Sequence, residues 1–106
     1  IDAGVIALTA FISPFKEDRY TVRELFPHGD FIEIYCKASL KVCESRDIKG
    51  LYRLARAGKI KNYTGINSPY EVPDNPELVI DTESESLAES TANVINLLKS
   101  KGVIKQ

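Results

Sequence analysis

The hydrophobic positions along this chain switch between two periods. Residues 4–11, GVIALTAF, form an almost unbroken apolar run with β-branched members, which predicts a strand buried on both faces of a parallel sheet. Ile12-Ser13-Pro14 ends the run, because proline cannot donate to a ladder and restricts the residue before it. Over residues 17–26 the spacing turns helical. Val22, Leu25 and Phe26 share one side, Arg19 and Arg23 sit four apart on another, and Pro27-His28-Gly29 breaks the helix. Residues 30–36, DFIEIYC, alternate as a second strand, and Ser39 is placed to cap a helix over residues 40–46 with Leu40, Val42 and Cys43 on its apolar side. Pro76-Glu77 opens a third strand over residues 78–81. Ser86-Leu87-Ala88-Glu89 then fits a capping box, followed by a stripe of Leu87, Thr91, Val94, Ile95 and Leu98. Lys99 and Lys101 suit the helix's C-terminal dipole, and Gly102 suits the residue beyond its end.

Strands alternating with helices imply right-handed crossovers, hence an α/β fold: a three-layer parallel sheet with helices on both faces. Three strands are too few to bury such runs on both sides. Further strands are therefore expected before Ile1, and the absence of methionine from all 106 residues agrees with a chain that is the C-terminal part of one larger domain. At this length and composition, 43% hydrophobic and 27% charged, the chain reads as part of an ordinary globular protein able to bury a core. No apolar run approaches a bilayer span, nothing at the N-terminus reads as a signal peptide, and a cytoplasmic location without membrane partners is expected. Cys36 and Cys43 show no metal-ligand or disulfide spacing and are expected to be small buried hydrophobes.

The segment between the second and third strands breaks the pattern. Residues 46–73 are too long and too charged for an ordinary connection, and a loop of this size is characteristic of a lid or binding loop. Residues 47–63 hold five cations, Lys49, Arg53, Arg56, Lys59 and Lys61, against the single anion Asp47. That is a net of +4 in a chain of net −1, which leaves −5 on the remainder. Positive charge concentrated on one element suits closure over an anion. Tyr52, Tyr63 and Tyr70 add flat surfaces for a base. A plain solvated helix, with Leu51, Leu54 and Ala55 inward, fits the same residues.

In open α/β sheets ligands bind beyond the carboxyl ends of strands, where Ser13, Pro14, Lys37 and the turn after Asp81 fall. That edge reads either as a nucleotide site or, at Ser13-Pro14, as a simple turn. His28, between proline and glycine, is a turn residue, and with one histidine and no cysteine cluster no metal held by protein side chains is expected. No Ser-His-Asp or Cys-His arrangement can be assembled, and Asp81 alone does not make a carboxylate pair.

Taken together, ALTAFISPF with Arg19, FIEIY at Phe31, LKVCESRDIKGLYRLARAGKIKNYTGINSPYEVP and NPELVIDT resemble the adenylylsulfate kinases, members of the P-loop kinase fold. The resemblance covers essentially residues 1–106, with the block from Cys43 to Pro73 the most specific part. It implies transfer of the γ-phosphoryl of ATP to the 3′-hydroxyl of adenosine 5′-phosphosulfate, with Mg²⁺, in sulfate activation. It implies that Ile12, Ser13 and Pro14 contact the phosphosulfate substrate. Ser13 matches the family's traditional phosphoserine, although direct in-line transfer needs no covalent step and makes it a substrate hydrogen-bonding residue.

The resemblance also places Lys49 beside the transferring phosphates and Asn62-Tyr63 on the substrate's adenine, with tyrosine where phenylalanine is usual. Arg46, Thr82 and Glu85 fall at the ATP base, and Asn67 replaces the usual aspartate. The G-x-x-x-x-G-K-[ST] phosphate loop is absent from these residues, so they alone are expected to have no kinase activity. A homodimer and a fusion to, or association with, a sulfate adenylyltransferase are implied as well. Two competing readings are a non-catalytic nucleotide-binding or regulatory domain and a single-stranded nucleic-acid binder. The net charge of −1 opposes the latter, so no nucleic-acid partner is expected.

Overall fold

The computed structural model describes residues 4–105. In chain order its elements are α1 (Lys16–Glu24), β1 (Ile34–Lys37), α2 (Leu40–Ser45), α3 (Leu51–Arg56), β2 (Leu78–Asp81) and α4 (Leu87–Ser100). β1 and β2 pair in parallel, with Ile34 opposite Leu78 and Lys37 opposite Asp81. The connection between them carries α2, α3 and the long loop, and α4 packs back against β2. This is the parallel α/β arrangement expected.

Local signals produced local structure. Ser39 Oγ accepts from the Val42 amide and starts α2. Both halves of the Ser86–Glu89 capping box are formed at α4, and Gly102 takes the left-handed conformation after it. Pro27 and Asp30 close the turn that carries His28, through Asp30 N to Pro27 O at 3.1 Å.

Three expectations change. Residues 4–11 form no strand: a parallel strand exists only where a neighbour supplies donors and acceptors, and among the described residues none lies alongside. Their apolar side chains face outward instead, Phe11 at 81% exposure. Secondly, the core is small. Ala55 and Ile80, 3% and 7% exposed, are the buried hydrophobic residues among those described, because two strands and the helices beside them enclose little volume. Cys36 is exposed at the uncovered end of β1, and Cys43 is half-buried. Thirdly, of the stripe expected on α4 Val94 and Leu98 are inward, joined by Ser90 and Leu97, whereas Thr91, Ile95 and Leu87, the last at 85% exposure, are not. The Glu85 carboxylate accepts from this helix, from Ser90 Oγ at 3.1 Å and from Asn93 Nδ2 at 3.0 Å.

Candidate functional site

The carboxyl ends of β1 and β2 are tied together by side chains of the connection. Thr82 donates twice to the Lys37 carbonyl, from its amide at 3.0 Å and its hydroxyl at 2.9 Å. The short helix α2 lies against the same turn at both of its ends. Ser39 donates to the Glu83 carboxylate, from Oγ at 3.0 Å and from the amide at 3.3 Å. At the other end Arg46 donates to Thr82 Oγ1 and to the Thr82 carbonyl, at 3.0 and 2.9 Å. Arg46 and Thr82, two residues implied at the ATP base, are thus brought into contact. The Glu85 carboxylate is spent inside its own turn and on α4, accepting from the Asp81 amide at 3.0 Å.

Beyond α2 the chain makes a tight turn into α3, where Gly50 adopts φ +69°, a left-handed conformation that a side chain disfavours. Asp47 holds this turn. Its two carboxylate oxygens accept from the Tyr52 and Arg53 amides, both at 3.1 Å, and so satisfy two free donors at the start of α3. An open groove of about 650 Å³ runs along residues 44–50 and Arg53, with the exposed Lys49 on its wall. The segment does form a helix, but of the three residues expected inward only Ala55 is buried while Leu51 and Leu54 are exposed, and Lys49 stays outward and enters no ion pair among the described residues. Part of the expected +4 is neutralised from outside the segment: Arg56 grips the carboxylate of Glu44, on α2, through Nε at 2.7 Å and Nη2 at 2.5 Å.

The aromatic residues divide in the same way. Tyr52 and Tyr63 meet edge to face, with centroids 5.0 Å apart and planes at 78°. Burial, then the Cys43 thiol beside it, push Tyr52 up to about 12, so it stays neutral. Tyr63 follows Asn62, itself at φ +56°. Its carbonyl accepts from the amides of Ile66, Asn67 and Ser68. Asn67 closes the same loop from the other side. It accepts from the Tyr63 amide and donates to the Ile60 carbonyl at 2.9 Å, a donation that an aspartate could not make. Tyr70 lies elsewhere, stacked on Tyr35 with centroids 6.2 Å apart and under the Arg19 guanidinium at 5.7 Å.

Among the described residues the Ile12–Pro14 turn makes no hydrogen bond to Lys49 or Tyr63, but it is joined to the exit of the long loop. The Glu71 amide donates to the Pro14 carbonyl at 2.7 Å, and the Lys16 amide to Glu71 Oε1 at 2.8 Å. Asp74 accepts from Lys16 Nζ at 2.8 Å and from the Tyr20 hydroxyl at 2.6 Å. Arg19 donates to the carbonyls of both Ser13 and Glu71. One turn further along α1, Arg23 makes a two-pronged pair with Glu77 at 2.9 and 2.7 Å, and Glu77 also accepts from the Glu33 amide at 2.6 Å. The spacing of Arg19 and Arg23 is visible in the sequence, but their partners Glu71 and Glu77, 52 and 54 positions away, are not.

The Arg23–Glu77 pair gives a pH prediction. Burial alone raises the Glu77 pKa, but the Arg23 hydrogen bonds and the Glu33 amide outweigh it and hold the carboxyl below its ordinary value. A depressed carboxylate stabilises the fold above the unfolded value of about 4.3 and loses that contribution as pH falls through the folded one. Glu77→Gln is expected to lower stability by about 1–3 kcal/mol near neutrality and by progressively less at a pH below the unfolded value of about 4.3. Urea unfolding of the full-length protein near neutrality and below that value checks this; an equal loss at both removes Glu77 from the acid response.

Comparison with known proteins places this geometry in context. Residues 1–81 match the family model described as adenylylsulphate kinase. The adenylyl-sulfate kinase of Acaryochloris marina is 57% identical over 104 residues, which are 98% of this chain and 51% of that protein. That of Oceanobacillus iheyensis is also 57% identical, over 98% of this chain and 52% of its own length. The chain thus spans about half the length of the curated relatives it matches. Among solved structures, the Mycobacterium tuberculosis APS kinase in complex with AMPPNP and APS is 44% identical, over 84% of this chain and 52% of its own, with a TM-score of 0.77.

Proposed function

This chain belongs to the adenylylsulphate kinase family, and from that premise we propose that its protein transfers the γ-phosphoryl of ATP to the 3′-hydroxyl of adenosine 5′-phosphosulfate. The observation that carries the reading is the convergence at the strand ends. Arg46 and Thr82 meet there, and Lys49 stands free on the rim of the adjoining groove.

In this reading Arg46 and the 82–85 turn border the ATP base, with Glu85 shaping the turn rather than reaching the nucleotide. Lys49 supplies positive charge to the transferring group. Phosphoryl transfer depends mainly on positioning and charge stabilisation, so a cation fixed near a rigid turn is worth more than one on a floppy loop. Ile12, Ser13 and Pro14 take the phosphosulfate end of the acceptor, and Asn62 with Tyr63 takes its adenine. Ser13 serves by hydrogen bonding and not as a phosphoserine, since in-line transfer leaves no covalent step for it to perform.

Mg²⁺ is assigned to the ATP phosphates. Among the described residues no group of three or more His, Cys, Asp or Glu is placed to hold a metal, so these residues carry no step through it. No helix described is long and apolar enough to cross a membrane, and a cytoplasmic setting, a homodimer and a link to a sulfate adenylyltransferase belong to the same proposal. The test is a coupled assay of ADP release by the full-length protein with Mg-ATP. Release that depends on adenosine 5′-phosphosulfate is expected. Release indifferent to it overturns the reading.

A further inference from the structure

We infer that Arg19 is a positioning residue that locks the Ile12–Pro14 turn to the exit of the 46–73 lid, so that the acceptor site keeps its shape only while the base of the lid is seated. The inference rests on the function proposed above, because that reading makes the turn a substrate contact. Its support is geometric. The Arg19 side chain is 11% exposed, and each edge of its guanidinium is committed to a different segment. Nη1 donates to the Ser13 carbonyl and Nη2 to the Glu71 carbonyl. Nε lies 3.4 Å from Glu33 Oε2, and the cation sits 5.7 Å from the Tyr70 ring centroid.

Ser13 is where such a clamp matters. Its φ of +40° lies in the left-handed region, which a residue with a Cβ rarely adopts without outside help. The Arg19 donor on the Ser13 carbonyl fixes the peptide orientation that follows. Glu71 completes the junction, donating from its amide to the Pro14 carbonyl and accepting the Lys16 amide on its carboxylate. Four hydrogen bonds therefore join the turn and the first residue of α1 to Glu71, directly or through one guanidinium. Two of the four belong to Arg19. Lysine cannot replace it, because one ammonium on a flexible stem cannot present a planar fork to two carbonyls and a third donor to Glu33.

The experiment uses the full-length protein. Wild type must first release ADP in an adenosine 5′-phosphosulfate-dependent manner; failure there overturns the functional reading and not the clamp. Arg19→Lys is then expected to raise KM for adenosine 5′-phosphosulfate about tenfold or more while KM for ATP stays within about twofold. Arg23→Lys alters the neighbouring cation, which contacts Glu77 and Glu33 but not the turn, and is expected to lower thermal stability with both KM values kept within about twofold. An Arg19→Lys enzyme with KM for the acceptor unchanged, or with both KM values raised alike, overturns the clamp.

Hydrogen exchange of the wild-type Glu71 amide gives a second arm that requires no variant to fold. Its protection is expected to rise when adenosine 5′-phosphosulfate is added without ATP. Unchanged protection at saturating acceptor also overturns the proposal.

Discussion

Under the proposed function, Lys49→Ala is expected to lower the turnover of the full-length protein by roughly 30- to 1,000-fold, about 2–4 kcal/mol of transition-state stabilisation, with little change in the KM of either substrate. The size follows from how the lysine is held. Its turn is fixed on one side by Asp47, whose carboxylate takes the Tyr52 and Arg53 amides, and on the other by Gly50 in a left-handed conformation. The backbone of the turn is thus held by its own hydrogen bonds, which restricts where the Lys49 ammonium can reach. Two neighbouring arginines are engaged elsewhere, whereas Arg53 lines the same groove. Arg56 is consumed by Glu44 and Arg46 by Thr82. Steady-state kinetics on the variant decide the matter: a kcat within about twofold of wild type removes Lys49 from the chemistry. A rise in KM alone makes it a ground-state binding residue.

How much of this was legible in the sequence depends on how far apart the partners lie. Ser39 and Ser86 could be read as caps because each bonds an amide three residues on. The cationic character of the lid could be counted, and so could the three tyrosines. What a count cannot give is which charges are already spent. Arg56 meets Glu44 twelve positions back, and that pairing depends on the turn at Gly50 bringing α3 beside α2. Residues 4–11 had every compositional mark of a strand, yet a strand is a pairing, and pairing is non-local. Arg19 lies four residues beyond the ALTAFISPF stretch. Its role became visible only with Glu71, 52 positions away, folded against it. Asp47 was hidden for a subtler reason: it caps α3 from three residues before the cap position, where capping rules do not look.

The family match shows which family these residues belong to, whereas the reaction and the individual roles are proposals that variants test. Tyr63 offers the cleanest separation. Tyr63→Ala is expected to weaken binding of adenosine 5′-phosphosulfate by about 1–3 kcal/mol, the usual worth of a base stacked on an aromatic ring. Tyr63→Phe is expected to be nearly neutral, because stacking uses the ring and not the hydroxyl. The platform is prepared in advance. The Tyr63 amide is held by Asn67, its carbonyl takes three amides of the following turn, and Tyr52 meets the ring edge to face at 5.0 Å. Tyr52→Ala should therefore reproduce a smaller part of the loss, about 0.5–1.5 kcal/mol, by freeing the ring to rotate. Calorimetric titration of the acceptor against the three variants distinguishes the sources of binding. Equal losses for Tyr63→Phe and Tyr63→Ala make the hydroxyl the contact. No loss in either places the adenine away from this loop and leaves the Tyr52–Tyr63 pair as packing that orders the lid.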